Sequence, residues 1–293
     1  TVSGAAWRGE SGREVSGPLP ITDLDDPRVE VFRDVRDRDL RGRQGIFMAE
    51  SEMVVRRLLR TPERLHSLLL SPAKFERLAD AMGNLPAEGG VYVADLEVME
   101  QIAGFHIHRG VLAAGWRPSE QDVAFDRLLE RVPGEEPCLI LAAAGINNSD
   151  NMGGLFRTAA AFGVDHMLLA EGCCDPLYRK AIRVSMGHAL SVPWAECVDL
   201  PEAAGMLRSE RGFRIVAVES GEGGTPLDGC EFGERTIVIV GAEGQGLDRS
   251  VLDIADDIVE IPMAAGVPSL NVVVAAGIVM NRIRHHSGAQ GRA

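Results

Sequence analysis

The chain has 293 residues, 45% of them apolar, and a formal charge of −13 because 43 acidic residues outnumber 30 basic ones. This composition excludes the disordered, collagen-like and disulfide-scaffold classes, and the length indicates two domains. No apolar run reaches the roughly 18 residues that a membrane span needs, so we expect no membrane partner. Five cysteines without a C-x-x-C pair indicate reduced thiols and a cytoplasmic protein. The acidic balance argues against a protein that holds nucleic acid by bulk charge.

Residues 1–20 are polar and rich in Gly and Ser, which predicts a mobile arm. Residues 21–115 alternate between short apolar runs and helical stretches, and we interpret them as a small α/β domain. Strands are predicted at 45–49, 68–70 and 91–94, and a helix at 51–60, which Ser51 can cap and Pro62 ends. The first part of this domain is locally basic, since ten arginines and seven acidic residues lie between Arg28 and Arg64.

Residues 116–136 carry charges, two prolines and no strand pattern, and we interpret them as a linker with one helix near 123–132. Residues 137–293 then form a second α/β pattern. Its predicted strands lie at 138–143, 166–170, 214–218, 236–240 and 257–261, and its predicted helices at 153–162, 178–185, 201–208 and 269–283. This alternation predicts a largely parallel, doubly wound sheet, which binds ligands at the carboxyl ends of its strands.

The first of these strands is followed by an unusual run of capping-type residues at 147–150, which opens a helix that is apolar nearly all round. Asn151 and Arg157 are polar members of that helix. We expect Arg157 to be buried, and a buried arginine needs an anion or several hydrogen-bond acceptors. A structural ion pair is one interpretation, but the neighbouring amides favour a functional site.

A glycine-rich loop at 241–247 follows the strand predicted at 236–240. Its order is G-x-x-G-x-G, which differs from the G-x-G-x-x-G of dinucleotide folds. Glycines allow the backbone to approach a ligand closely, although a plain turn is the simpler interpretation. Glu243 within the loop favours a functional site.

The last predicted strand runs into a Gly/Pro loop, after which Ser269 is predicted to cap the final helix. This helix is apolar on every face through Met280. Such a helix belongs to the core, and near the end of a chain it also indicates a partner subunit.

Together and in this order, the three segments resemble the motifs of the SpoU/TrmH family of RNA ribose 2′-O-methyltransferases. The similarity is to N-x-G-x-x-x-R-T-A at 151–159, G-x-E-G-x-G-L at 241–247, and I-P-M with S-L-N-V at 261–272. The segment at 178–187 is also similar to the family, and the resemblance covers roughly residues 137–285. More weakly, F-M-A-E at 47–50 resembles the ribosomal-protein-type RNA-binding domain of many members, although Ser51 stands where members usually have Gly.

The resemblance implies that residues 137–293 form a SPOUT domain with a deep trefoil knot, which binds S-adenosylmethionine. It also implies a homodimer joined near the knot, with the helix from Ser269 in the interface. The segment 219–221 would form one wall of the cofactor pocket. The cofactor-binding residues implied are Gly241, Gly244, Ile261, Met263 and Leu270.

The implied reaction is attack of a ribose 2′-hydroxyl of tRNA or rRNA on the methyl group of the cofactor. Because a guanidinium group holds its proton tightly, we expect Arg157 to hold the ribose and phosphate and to stabilise alkoxide charge, while a phosphate oxygen takes the proton. Asn151 would orient Arg157 or the ribose, and Glu243 would fix the glycine-rich loop or pair with Arg157. The catalytic residues implied are Arg157, Asn151, Glu243, Ser269 and Asn271.

Two other functions are open to such a sequence. A knotted module could bind RNA or cofactor without catalysis, although the complete set of implied catalytic residues disfavours this. A dinucleotide-dependent oxidoreductase is disfavoured by the glycine order. No metal is expected, because His106-Ile-His108 lacks further ligands at a suitable spacing. The acidic balance then constrains how RNA is bound, through local basic residues and shape, rather than whether it is bound.

Overall fold

The computed structural model describes residues 18–33, 45–83, 85, 90–107, 110–221, 223–244 and 246–285, and the backbone alone of 7–8, 14–15 and 286. Most of the predicted mobile arm and the arginines between 34 and 44 lie outside the described residues. The chain divides into two compact units. The N-terminal unit is Thr1–Arg117 with Leu177–Ser191, and the C-terminal unit is Pro118–Pro176 with Val192–Ala293.

The elements are numbered in chain order. The strands are β1 (Trp7–Arg8), β2 (Glu14–Val15), β3 (Leu19–Pro20), β4 (Ile46–Glu50), β5 (Leu65–Leu70), β6 (Gly90–Val93), β7 (Val111–Trp116), β8 (Cys138–Ala144), β9 (His166–Ala170), β10 (Trp194–Cys197), β11 (Arg214–Val218), β12 (Thr225–Pro226), β13 (Arg235–Gly241) and β14 (Asp257–Glu260). The α-helices are α1 (Glu52–Leu58), α2 (Pro72–Leu78), α3 (Leu96–Ala103), α4 (Phe125–Arg131), α5 (Ser149–Phe162), α6 (Arg179–Val184), α7 (Leu200–Arg211), α8 (Arg249–Ile254) and α9 (Val272–His286).

The N-terminal unit is built on a five-stranded mixed sheet in the order β3-β6-β5-β7-β4. Its central strand β5 carries Leu68, Leu69 and Leu70, which are fully buried, as expected of a strand that is covered on both faces. Helix α6 packs against β4, although the two are far apart in sequence. The unit therefore recruits a helix from within the second half of the chain.

The C-terminal unit is built on a seven-stranded parallel sheet in the order β10-β9-β8-β13-β11-β14-β12. The predicted parallel α/β sheet is thus confirmed. Its central strands are apolar and buried, and the core includes Ile140, Ile215, Ile237 and Ile239. From β8 the chain proceeds outward to β9 and β10, then returns to the far side of β13. The strand order reverses between β8 and β13, which is where parallel sheets form ligand crevices.

Element boundaries follow the sequence prediction closely in the buried strands. The strands predicted at 166–170 and 214–218 are β9 and β11, without a shift. Helix α1 is shorter than predicted, and the Ser51 side chain makes no capping hydrogen bond. The final helix begins at Val272, three residues later than predicted. The strands that were not predicted are the two-residue strands β1, β2, β3 and β12 together with β7 and β10. Helices α2, α3 and α8 were not predicted either.

Several classes of feature are absent from the described part of the chain. No helix there is long and apolar enough to span a membrane. No disulfide bond joins its cysteines. No group of three or more potential metal ligands occurs there either, and His108 lies outside the described residues.

Candidate active site

Three polar side chains from distant segments of the C-terminal unit form one hydrogen-bonded cluster. Asn151 Nδ2 donates to Glu243 Oε1 over 3.0 Å, and Asn271 Nδ2 donates to the same oxygen over 2.6 Å. Asn271 Nδ2 also donates to Asn151 Oδ1 over 2.9 Å. The cluster joins the start of α5, the loop after β13 and the residue before α9, and it brings together three of the predicted catalytic residues.

The helix starts at this site are fixed by asparagine side chains. Asn148 caps α5, because its Oδ1 accepts a hydrogen bond from the backbone N–H of Asp150 over 2.8 Å. Asn271 Oδ1 accepts from the Val273 N–H over 2.9 Å at the start of α9. The prediction that Ser269 caps this helix is therefore wrong, and Ser269 lies exposed in the preceding loop. The Asn271 amide is held at both ends, by its helix and by Glu243.

The prediction that Arg157 is buried is wrong. The buried side of α5 is formed by Met152, Leu155, Phe156 and Ala159, whereas Arg157 is exposed. Within the described part of the chain, its guanidinium makes no hydrogen bond or ion pair. Glu243 was predicted either to fix the glycine-rich loop or to pair with Arg157. Its carboxylate binds Asn151 and Asn271 and does not pair with Arg157. The Arg157 guanidinium is therefore accessible to an anion from outside the chain.

A cavity of about 500 Å³ lies at the carboxyl ends of β11, β13 and β14. Its lining includes all the residues predicted to bind a cofactor, which are Gly241, Gly244, Ile261, Met263 and Leu270. Glu243 and Ser269 also line the cavity, so two predicted catalytic residues border it directly. The lining does not include the other three predicted catalytic residues, Asn151, Arg157 and Asn271. Asn151 and Asn271 are connected to the cavity by their hydrogen bonds to Glu243.

Gly241 ends β13 at a point where two backbone segments touch. A Cβ atom at this position would lie 2.6 Å from the carbonyl oxygen of Gly246 and 2.7 Å from its carbonyl carbon. The loop turns back over the strand end, because Ala242 and Gly246 form an antiparallel bridge. Only glycine permits this approach, so the first glycine of the loop is required by packing.

Glu219 holds this loop from the neighbouring strand β11. Its Oε2 accepts a hydrogen bond from the Leu247 N–H over 2.6 Å, and its Oε1 accepts from the Ser220 N–H over 3.0 Å. Glu219 and Ser220 of the predicted wall at 219–221 thus line the cavity, and Glu219 also fixes the glycine-rich loop. The sequence signal for this second role is a glutamate placed directly after a buried strand.

The charged side chains of the cavity are all acidic. Glu219 and Glu243 line it, and no arginine or lysine does so among the described residues. A nearby carboxylate, Glu260, accepts a hydrogen bond from the Gly221 N–H over 3.1 Å. The cavity therefore suits a neutral or positively charged ligand better than a phosphate group.

Similarity to known proteins agrees with this arrangement. The model of the SpoU rRNA methylase family matches residues 138–281. A protein of Mycobacterium tuberculosis, described as an uncharacterized tRNA/rRNA methyltransferase, is 39% identical over an alignment of 279 residues that covers 92% of this chain and 93% of that protein. The chain belongs to the SpoU rRNA methylase family. The asparagine–glutamate cluster and the cavity are thus features of a SpoU methylase.

Solved structures share the fold of this SpoU methylase. An AdoMet-bound rRNA methyltransferase from Sinorhizobium meliloti superposes with a TM-score of 0.76 at 21% identity, covering 91% of this chain and 97% of that one. An RNA 2′-O ribose methyltransferase superposes with a TM-score of 0.72 at 23% identity, covering 92% and 99%. Because both similarities cover more than 90% of this chain, they include most of the residues before Cys138, where the family match begins.

Proposed function

We propose that this SpoU methylase transfers the methyl group of S-adenosylmethionine to a ribose 2′-hydroxyl of structured RNA, either tRNA or rRNA. The observation that carries this proposal is the Asn151–Glu243–Asn271 cluster, which adjoins the cavity because Glu243 belongs to both. Family membership supports methyl transfer to RNA. The two structural neighbours and the mycobacterial relative are described with the same chemistry.

The cavity fits S-adenosylmethionine in size and charge. Its volume of about 500 Å³ is within the range of small-molecule sites. Its acidic lining without basic side chains suits a positively charged sulfonium. Ile261 and Leu270 offer apolar contacts, and the loop after Gly241 offers backbone groups at close range. When bound, the cofactor supplies an electrophilic methyl group.

Arg157 is proposed to act on the RNA rather than on the cofactor. Its exposed guanidinium would contact the ribose and the adjacent phosphate and would stabilise negative charge on the attacking oxygen. Because a guanidinium holds its proton tightly, the hydroxyl proton would pass to a phosphate oxygen. The cluster around Glu243 would hold α5, and with it Arg157, at a fixed distance from the cavity. Ser269 lines the cavity and would form a hydrogen bond near the site of methyl transfer.

We also propose the finer organisation that the sequence predicts. An RNA-binding domain at 21–115 would be joined by the linker at 116–136 to the methyltransferase domain at 137–293, in a cytoplasmic protein. The trefoil knot stays a prediction. No metal is proposed to take part.

A homodimer is proposed from the exposed side of α9. Val274 and Ile278 lie one turn apart on this helix and are 50% and 37% exposed, although both are apolar. A second copy would cover them. Replacing both with aspartate should convert the protein to a monomer in light-scattering measurements. Val198→Asp, at an apolar residue that is 84% exposed elsewhere in the unit, should leave the mass unchanged. A double variant that stays dimeric would contradict this interface.

The proposed function is tested by incubating the protein with labelled S-adenosylmethionine and total bacterial RNA. The RNA is then digested to nucleosides, and methylated products are identified by mass spectrometry. We expect 2′-O-methylnucleosides with the wild type and a loss of at least about 100-fold with Arg157→Ala, consistent with removal of a charge-stabilising donor. Arg249→Ala, at an exposed surface ion pair, serves as the matched control.

Three outcomes would contradict this function. Methylation of bases rather than ribose would exclude the proposed acceptor, and activity unchanged by Arg157→Ala would exclude the proposed mechanism. Binding of S-adenosylmethionine and RNA without any transfer would favour the non-catalytic module instead.

A further inference from the structure

The N-terminal unit contains a second cavity, which the proposed methyl transfer does not use. Its volume is about 750 Å³, which lies within the range of about 300–1,000 Å³ that is usual for small-molecule sites. Strand β4, helix α1, helix α6 and the segment before β7 contribute to its walls. The lining consists of Glu50, Ser51, Met53, Val54, Phe105, His106, Ile107, Val111, Arg179, Arg183 and Met186.

One wall combines an aromatic ring with an arginine. The Arg179 Cζ atom lies 4.2 Å from the centroid of the Phe105 ring, which is a cation–π stack. Val54, Ile107 and Val111 add apolar surface to the same cavity. Flat aromatic and guanidinium groups beside an apolar surface are the features on which unpaired nucleobases stack.

A second wall offers a carboxylate held by an arginine. Arg183 Nη1 donates to Glu50 Oε1 over 3.1 Å, with side chains that are 57% and 18% exposed, respectively. The other Glu50 oxygen accepts no hydrogen bond from the described residues. It can accept one from the amino group of guanine, cytosine or adenine, whereas uracil has no amino group. The exposed Arg183 can at the same time contact a phosphate.

Ser51 adds a hydroxyl to this cavity at a conformational cost. Its φ of 84° lies in the left-handed region that favours glycine. Ser51 precedes α1 without capping it, is 9% exposed, and lines the cavity. Backbone strain in a non-glycine residue is typical of ligand sites, where a particular side chain is retained despite its cost.

We propose that this cavity binds one unpaired nucleotide of the RNA substrate, with a base that carries an exocyclic amino group. The base would stack against the Phe105 wall and donate its amino hydrogen to Glu50, and its phosphate would contact Arg183. The inference rests on the proposed function, since it takes RNA as the substrate. It adds a subsite that reads sequence at a position separate from the methylated ribose.

The subsite is tested with two fluorescein-labelled pentaribonucleotides, UUGUU and UUUUU, titrated into the full-length protein by fluorescence anisotropy. We expect UUGUU to bind at least about 5-fold more tightly, since one well-placed hydrogen bond to the amino group of the base discriminates by this amount or more. Equal affinities for the two oligonucleotides would overturn the proposal.

Two variants give different signatures. Glu50→Gln should reduce the preference for UUGUU at least about 3-fold, since a neutral acceptor binds an amino group more weakly than a carboxylate. Phe105→Leu should weaken the binding of both oligonucleotides to a similar extent, because stacking depends little on base identity. Glu97→Gln, at an exposed acid of α3 outside the cavity, is the control and should change neither affinity. A preference retained by Glu50→Gln, or lost in Glu97→Gln, would contradict the subsite.

The same preparations separate this inference from the proposed function. S-adenosylmethionine binding is measured by calorimetry, and the melting temperature of each variant shows that it is folded. An oligonucleotide preference in a protein that transfers no methyl group would support the subsite and overturn the methyltransferase function. Methyl transfer without any oligonucleotide preference would do the reverse.

Discussion

Asn271 Nδ2 donates a hydrogen bond to Glu243 Oε1 over 2.6 Å and a second one to Asn151 Oδ1 over 2.9 Å. These contacts join the residue before the last helix to a loop 28 residues earlier and to a helix 120 residues earlier. Since the Asn271 oxygen is bound to its own helix, the amide has one orientation and cannot rotate freely. The position of α9 is thereby linked to the glycine-rich loop that lines the cavity.

Removing the Glu243 carboxylate should therefore affect activity far more than stability. Glu243→Gln should lower methyl transfer about 10-fold or more, because a neutral amide accepts the two asparagine hydrogen bonds less strongly and no longer holds α5 and the glycine-rich loop in a fixed position beside the cavity. Glu243→Ala should lower it further. Since Glu243 is exposed, the free energy of unfolding should change by less than about 1 kcal/mol in urea titrations. Glu210→Ala, at an exposed acid of α7, is the control, and unchanged activity in Glu243→Ala would contradict the role of the cluster.

Gly241→Ala should weaken cofactor binding. The new methyl group would lie 2.6 Å from the Gly246 carbonyl oxygen, so the loop must move away from the end of β13 and the cavity lining is displaced. An overpacked contact of this kind costs about 1–3 kcal/mol, which corresponds to an affinity reduced by about 5- to 150-fold in calorimetry. The matched control is Gly205→Ala in α7, where nothing lies within 4 Å of the added atom. This control should keep full affinity, and equal affinities in the two variants would show that the close approach is unimportant.

Ser51→Gly should stabilise the protein. The residue has a φ of 84°, and a non-glycine residue in this region is strained by about 1–3 kcal/mol. Glycine relieves this strain, but it also makes the unfolded chain more flexible, which offsets part of the gain in stability. We expect a net gain of about 1 kcal/mol in urea unfolding. Ser71→Gly provides the comparison, because Ser71 precedes α2 with an ordinary φ of −71° and should gain nothing. A loss of stability in Ser51→Gly would show that the hydroxyl contributes more than the strain.

Acid should destabilise the C-terminal unit through His166. Burial lowers the pKa of this side chain from its ordinary value of 6.5, so the folded state binds a proton less readily than the unfolded state. The stability that the neutral His166 side chain contributes is therefore present above pH 6.5 and is lost progressively as the pH decreases below that value. His166→Gln should reduce the loss of unfolding free energy between pH 7 and pH 5.5 in urea titrations. Above pH 7.5 the difference between variant and wild type should be constant, and an unchanged acid slope would exclude His166 as its source.

The buried strands of the C-terminal sheet could be predicted from sequence because their apolar runs are continuous. Strands β9 and β11 agree with the prediction residue for residue. In contrast, β7 was not predicted, because its sequence V-L-A-A-G-W combines small residues with a glycine and has no clear hydrophobic period. Its place between β5 and β4 depends on partners distant in sequence, and local propensity contains no information about them.

The chemistry of the candidate site was also determined by the sequence, because its residue types and their spacing in three segments are those of the SpoU motifs. Tertiary structure decided which of these residues meet. It placed Glu243 against two asparagines, exposed Arg157, and moved the capping role from Ser269 to Asn271. It also placed α6 in the N-terminal unit. Burial and hydrogen-bond partners depend on contacts between segments as many as 120 residues apart, and only the packed chain brings those segments together.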